Sequence, residues 1–222
     1  NFLFVGFFLA GQTNALQLAP LLSTCVDACQ RGCREIRRIR AAGFGVTMKD
    51  AKDDRSCLTE ADAASQLAIV GSLRSEWKDE IHIVGEEDES DLPSLSKNAM
   101  FEPLQRDLFD DDIGETDEID ASRVTIFVDP LDGTREFVEG RYENCQVLVG
   151  IAIDGEAVAG AVGIPFPEKG DLSVEPTIVY GLDGLGTGVR GTLLTRGPFP
   201  LDHHIDAIKY PHPHHASGEA AV

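Results

Sequence analysis

A strand-forming run, Val124–Val128 (VTIFV), passes directly into Asp129-Pro130-Leu131-Asp132-Gly133-Thr134. This junction constrains the fold more than any other stretch of the chain. The run is apolar and β-branched enough to be a buried strand, and it is expected to end abruptly at Asp129-Pro130. Proline forces a tight bend there, so Asp132 returns three residues after Asp129 and both carboxylates can face one point. Two or three carboxylates converging with a backbone carbonyl and waters make a hard-oxygen site, which suits Mg²⁺ rather than zinc. Gly133 and Thr134 then offer backbone N–H groups at a predicted helix start, a cradle for an anion. Asp-Pro or Asp-Gly alone is an ordinary pair of turn residues. The whole hexapeptide behind a buried strand points instead to a metal beside a phosphate, and so to phosphoryl chemistry.

The remaining pattern supplies layers to carry such a site. From Leu18 to Ala42 the spacing is helical. Leu21, Leu22, Cys25, Cys29, Ile36 and Ile39 fall near one face, Arg31, Arg34, Arg37, Arg38 and Arg40 lie mostly off it, and Gly43 is a stop. Cys25, Cys29 and Cys33 recur every four residues and read as small buried hydrophobes rather than a metal-binding thiol cluster. A second helix is predicted over Glu60–Trp77, with Ala63, Ala64, Leu67, Ile69, Val70, Leu73 and Trp77 as its apolar positions. Thr59 can cap it, which places Asp62 in the first turn. Ile81–Val84 reads as a short buried strand ending at Gly85-Glu86-Glu87, with His82 toward solvent. Gln146–Ile153 and Ala157–Ile164 flank Asp154-Gly155 as a hairpin, and Thr177–Tyr180 is a weaker strand.

The chain has 222 residues, room for one ordinary domain or two small ones. Thirty-eight acidic against 19 basic residues give a formal charge of −19, which argues against general nucleic-acid binding. Small phosphorylated partners remain open to such a chain where cations mediate. Between Asp79 and Asp120 stand 16 acidic residues against only Lys97 and Arg106. Most of that run, especially Asp107–Asp120, reads as a solvated loop, with Gly85-Glu86-Glu87 as the exception. Five cysteines fit neither a disulfide framework nor a zinc site.

Phe2–Ala10 (FLFVGFFLA) is uncharged and too short to span a bilayer, so no stable membrane span is expected. It has the length of a signal-peptide core, with Thr13-Asn14-Ala15 as a small-residue cleavage end. Residues 1–17 are therefore read as a targeting segment in preference to a packed arm. The compartment stays open: an organelle or the secretory route with cleavage, the cytoplasm without it. His203–Val222, rich in His and Pro, reads as a flexible tail rather than a metal site.

Asp129–Thr134 resembles the signature of the inositol monophosphatase superfamily of magnesium-dependent, lithium-sensitive phosphatases. Ile83-Val84-Gly85-Glu86-Glu87 resembles its strand-then-GEE element. Asp54-Arg55-Ser56-Cys57-Leu58-Thr59-Glu60-Ala61-Asp62 resembles its D-x-S-P-V-T-x-A-D element, with Cys57 and Leu58 in place of Pro and Val. The stretch Arg135–Gly140, with Asn144 and Val147–Ala152 behind it, is most similar to the 3′(2′),5′-bisphosphate nucleotidase branch.

The resemblance covers roughly Leu18 to Gly191. It implies an α+β fold, a layered α/β sandwich of the inositol monophosphatase and fructose-1,6-bisphosphatase type. It further implies that Glu86, Asp129, the Leu131 carbonyl and Asp132 hold Mg²⁺. Asp62 and Thr134 would orient and deprotonate the attacking water, and the Gly133 and Thr134 amides would grip the substrate phosphate. The implied activity is that of a phosphoric monoester hydrolase, most similar to enzymes that take 3′(2′)-phosphoadenosine 5′-phosphate to AMP and phosphate. An inositol phosphate phosphatase shares these motifs, and a non-catalytic Mg²⁺- and phosphate-binding remnant is a reading of another class.

The family has a further metal-binding Asp in a W-D-x-x-A motif of its C-terminal half. The single tryptophan here is Trp77, and no such motif follows Gly191. The resemblance thus implies that the C-terminal half is largely missing, that 192–222 is an unmatched tail, and that residues 1–222 alone turn over poorly. It also implies that Val147, Val149, Ile151 and Val158 are left partly exposed where a partner layer would pack.

Overall fold

Apolar and thiol side chains recur every three or four residues from Leu18 onward, and they wind that stretch into a helix laid across a sheet. The structure is a computed structural model that describes residues 15–43, 46–48, 57–87, 100–108, 118–183 and 186–191. In chain order its elements are β1 (Ala15–Gln17), α1 (Leu18–Ala42), β2 (Val46–Met48), β3 (Cys57–Thr59), α2 (Glu60–Trp77), β4 (His82–Gly85), β5 (Glu118–Asp120), β6 (Val124–Asp132), α3 (Thr134–Val138), β7 (Gln146–Ile153), β8 (Glu156–Ile164), β9 (Thr177–Leu182) and β10 (Gly186–Gly191). Outside the described residues lie the apolar run Phe2–Ala10, residues Asp54–Ser56 of one motif, most of the acidic run and the tail 192–222.

Six strands form one sheet in the order β10-β9-β8-β7-β6-β4, antiparallel throughout except for the parallel pair β4–β6. Helices α1 and α2 pack against each other and against one face of this sheet, giving the expected layered α+β arrangement. The hairpin turn is Asp154-Gly155, both with positive φ (52° and 86°), the geometry that a two-residue turn between twisted strands requires.

Close approaches explain two small residues. A Cβ at Gly32 would meet Ile69 Cδ1 at 2.6 Å and Ser65 Oγ at 2.8 Å, so α1 and α2 touch there. A Cβ at Gly163 would meet Cys33 Sγ at 2.5 Å and Cys29 Sγ at 2.8 Å. The thiols on α1 thus fill space against β8, as small hydrophobes do.

Several expectations are corrected. Val147, Val149 and Ile151 are not left exposed; they lie 0–2% exposed, because alternate residues of β7 face α1. Among the described residues the exposed apolar side chains include Val84 and Phe127 instead, cross-strand partners at 37% and 50% exposure. On α2, Ala64 and Leu67 are only half-buried, whereas Asp62, Ser65, Gln66 and Ser72 are buried. That helix turns a partly polar face inward. Glu118–Asp120 is not loop but pairs with β1, which buries Leu16. The glycine-rich β10 carries no sequence signal for a strand, and main-chain pairing with β9 forms it. No helix among the described residues is long and apolar enough to cross a membrane.

Burial drives the Cys25 and Cys29 thiols far above their ordinary range and pushes Cys145 up to about 12. Since the reagent must reach the sulfur, native protein treated with iodoacetamide near neutral pH should leave the buried Cys25, Cys29, Cys33 and Cys145 unmodified. All four should label once the chain is denatured. Peptide mass spectrometry reads this out, and native labelling of Cys29 at the rate of a free thiol would contradict the packing of α1 on the sheet.

Candidate active site

Parallel pairing of β4 with β6 sets the site. Their register places Gly85 beside Val128, so the next residues, Glu86 and Asp129, stand side by side. The Glu86 N–H donates to the Val128 carbonyl at 2.9 Å and extends the ladder by one more bond. The two carboxyl groups lie close together. Burial, then the Glu86 carboxyl, then Asp132 push the Asp129 carboxyl up to about 7. The Leu131 N–H, donating to Asp129 Oδ1 at 3.1 Å, opposes this only in part.

The strand does not end at Asp129-Pro130 as expected. β6 stays paired with β7 from Asp129 (opposite Leu148) to Asp132 (opposite Gln146), with a bulge between. Pro130 lies in that bulge, where the ladder does not need its missing N–H. The bulge, rather than a terminal bend, brings Asp132 back toward Asp129.

Gly133 follows with φ 86° and ψ 36°, left-handed, and a Cβ there would sit 2.8 Å from the Asn144 carbonyl oxygen. It turns the chain into α3, of which Thr134 is the first residue, as the sequence predicts. Thr134 Oγ1 lies 2.9 Å from Asp62 Oδ1 and 3.0 Å from the Leu131 carbonyl oxygen, and its single hydrogen goes to one or the other. Residues 72 positions apart thereby meet.

Asp62 reaches this point from the first turn of α2. The Thr59 N–H donates to its Oδ2 at 2.8 Å and the Thr59 hydroxyl at 2.5 Å. The Thr59 hydroxyl in turn accepts from the Ala61 and Asp62 N–H groups. This is a reciprocal capping box, so one carboxylate starts the helix with Oδ2 and holds Thr134 with Oδ1. Asp62 is 1% exposed; burial raises its pKa, while the donors on Thr59 and Thr134 pull it down.

Sequence reasoning misses two residues of the arrangement. Ser65 Oγ donates to the Pro130 carbonyl at 2.7 Å. Gln66 Nε2 donates to the Glu87 carbonyl at 2.7 Å, and Gln66 Oε1 accepts the Glu87 N–H at 3.0 Å. Their signal is positional: polar side chains three and four residues after Asp62 share its side of the helix.

A sequence model of the inositol monophosphatase family matches residues 17–217. The chain belongs to that family. It is 32% identical over 195 residues to 3′(2′),5′-bisphosphate nucleotidase 1 of Dictyostelium discoideum, covering 84% of this chain and 61% of that protein. To 3′(2′),5′-bisphosphate nucleotidase 1 of Homo sapiens it is 32% identical over 178 residues, covering 76% of this chain and 55% of that protein. The crystal structure of the extragenic suppressor protein suhB from Bartonella henselae matches with a TM-score of 0.53 at 19% identity, over 77% of this chain and 52% of the other. The chain thus spans a little over half the length of these two curated relatives, and it has the inositol monophosphatase fold over the part they share.

Within this family member the donors suit a hard divalent cation. Glu86 and Asp129 crowd together, Asp132 adds like charge, and the Leu131 carbonyl oxygen lies at the same strand end. Among the described residues no three acidic, His or Cys side chains are close enough to enclose an ion as they stand.

The strain at Gly133 can be separated from ordinary left-handed cost. Gly140 has φ 79° with nothing near its Cβ position, so Gly140→Ala should lose about 1–2 kcal/mol of stability. Gly133→Ala carries the same backbone cost plus the contact with the Asn144 carbonyl, and should lose clearly more. Urea denaturation of both variants decides it; equal losses would show that the hexapeptide turn is not packed against Asn144.

Proposed function

We propose that this chain carries the metal- and phosphate-handling part of a Mg²⁺-dependent, lithium-sensitive phosphomonoesterase. Its substrate on this reading is a small nucleotide bisphosphate, 3′(2′)-phosphoadenosine 5′-phosphate, converted to AMP and phosphate. The observation that carries the reading is the Asp62–Thr134–Leu131 contact beside the paired carboxyls of Glu86 and Asp129. The nucleotidase names of the relatives at 32% identity support the substrate class.

Glu86, Asp129, Asp132 and the Leu131 carbonyl would hold Mg²⁺. The ion supplies neutralisation of the phosphoryl oxygens and acidifies water. Thr134 spends its hydrogen on Asp62 Oδ1, which leaves the hydroxyl lone pairs facing outward to accept from a water and aim it. A proton leaving that water passes to Thr134 as the Thr134 hydrogen passes to Asp62. Burial of Asp62 favours its protonated form and so favours this transfer. The Gly133 and Thr134 amides would hold the substrate phosphate. Positioning and charge stabilisation then do most of the catalytic work, as is usual in phosphoryl transfer.

In an active form of the protein, Asp62→Asn should lower kcat by about 10²–10⁴ with Mg²⁺ affinity nearly intact, the scale of a lost general base. Single-turnover kinetics alongside calorimetric Mg²⁺ titration is the measurement; a large loss of affinity instead would make Asp62 a metal ligand. On the same preparation, phosphate release from adenosine 3′,5′-bisphosphate should exceed that from inositol 1-phosphate, and Li⁺ should inhibit it. The reverse preference would place the protein among the inositol phosphate phosphatases.

A further inference from the structure

Three polar side chains of α2, at spacings of three and four, each grip a different piece of the site. Asp62 holds Thr134, Ser65 holds the Pro130 carbonyl, and Gln66 brackets the Glu87 main chain with both a donor and an acceptor. Ser65 is 0% and Gln66 2% exposed. A buried amide exchanging both bonds with one residue's backbone does what a paired strand would do, at a point where β4 has ended.

Two glycines make room for this grip. A Cβ at Gly85 would fall 2.7 Å from both Cδ and Oε1 of Gln66, so only a bare backbone lets the amide reach Glu87. At Gly32 the α1 backbone comes close to Ser65 and Ile69, so α1 packs on α2 at the same turn that carries Ser65. The helix is therefore packed on α1 where the two acidic strand ends are fastened to it.

The fastening has work to do. The β4–β6 register sets the carboxylates of Glu86 and Asp129 side by side just where β4 ends, so the position of Glu86 depends on what holds the backbone beyond it. The contacts from Gln66 and Ser65 tie the segments on either side of this pair to one helix. We infer that Gln66, aided by Ser65, is a positioning residue that holds the Glu86 loop and the Asp129–Leu131 bulge at the separation a divalent cation needs. The inference rests on the Mg²⁺ reading given above. Neither residue touches the ion; each acts through the backbone of a loop that does.

Calorimetric titration with Mg²⁺ alone, on wild type, Gln66→Met, Ser65→Ala and Leu73→Val, tests it, with backbone hydrogen exchange on the same four proteins. Leu73 is a fully buried α2 residue far along the helix from the site, so Leu73→Val loosens the core without touching either loop. Gln66→Met should weaken Mg²⁺ binding about 10–100-fold, the usual effect of losing a partner that orients ligands. Ser65→Ala should weaken it by less, and Leu73→Val should leave it within about twofold. Exchange at Gly85–Glu87 should accelerate in Gln66→Met and not in Leu73→Val. Unchanged affinity in Gln66→Met, or an equal loss in Leu73→Val, would overturn the inference. Should Gln66→Met fail to fold, wild-type affinity in Ser65→Ala would overturn it. Should wild type itself not bind Mg²⁺, the functional reading fails, and unchanged exchange at Gly85–Glu87 in Gln66→Met would then overturn the positioning as well.

Discussion

The like-charge contact between Glu86 and Asp129 is the constraint around which the rest of the structure is arranged. It follows from one parallel strand pair in an otherwise antiparallel sheet: β4 beside β6 points both strand ends the same way, and their register delivers the two carboxylates together. An antiparallel neighbour would have brought the opposite end of its strand to Asp129. Burial and the neighbouring Glu86 and Asp132 carboxyls all push the Asp129 carboxyl up, and the Leu131 N–H opposes them. A cluster that destabilises itself in this way persists only where the surroundings over-determine it.

Helix α2 provides that determination, and its first turns show how local and long-range demands coincide. Asp62 completes a capping box, a feature worth about 1 kcal/mol to any helix. The same side chain reaches Thr134, and the next turn carries Ser65 and Gln66 to the two loops. A helix whose inward face is polar at its N-terminal end and apolar at Ile69, Leu73 and Trp77 fits poorly with a simple amphipathic stripe. It is a core helix at one end and a site scaffold at the other. α1 completes the layer, its small residues allowing the close contact at Gly32 and the thiol packing over Gly163.

Much of this was legible in the sequence where local rules decide. α1 and α2 occupy Leu18–Ala42 and Glu60–Trp77 as their periodicity and stops predict, and the Asp154-Gly155 turn follows from its residue types. The hexapeptide after Val128 marked the site because several improbable residues coincide at a strand end. What was not legible depends on partners distant in the chain. The layer that covers Val147, Val149 and Ile151 is α1, more than a hundred residues earlier in the chain, and so these residues were wrongly expected to be exposed. The bulge that keeps β6 paired past Pro130 is a property of its ladder with β7. Ser65 and Gln66 look like ordinary polar residues until the loops they bind are folded against them. β10, with Gly186, Gly188 and Gly191, is formed by main-chain pairing with β9.

Membership of the inositol monophosphatase family accounts for the order of the motifs, and the matched region runs from 17 to 217. The central claim is more local: that the crowded strand ends of β4 and β6 are a divalent-cation site next to Thr134. Crystals of the protein grown with Mn²⁺, which takes the same hard oxygen donors, and measured at a wavelength giving strong manganese anomalous scattering, test this most directly. The account predicts an anomalous peak in coordination contact with Glu86 and Asp129, on the side facing Asp132 and the Leu131 carbonyl. A fully ordered site with no peak there, or a peak only on other carboxylates of this acidic chain, would contradict it.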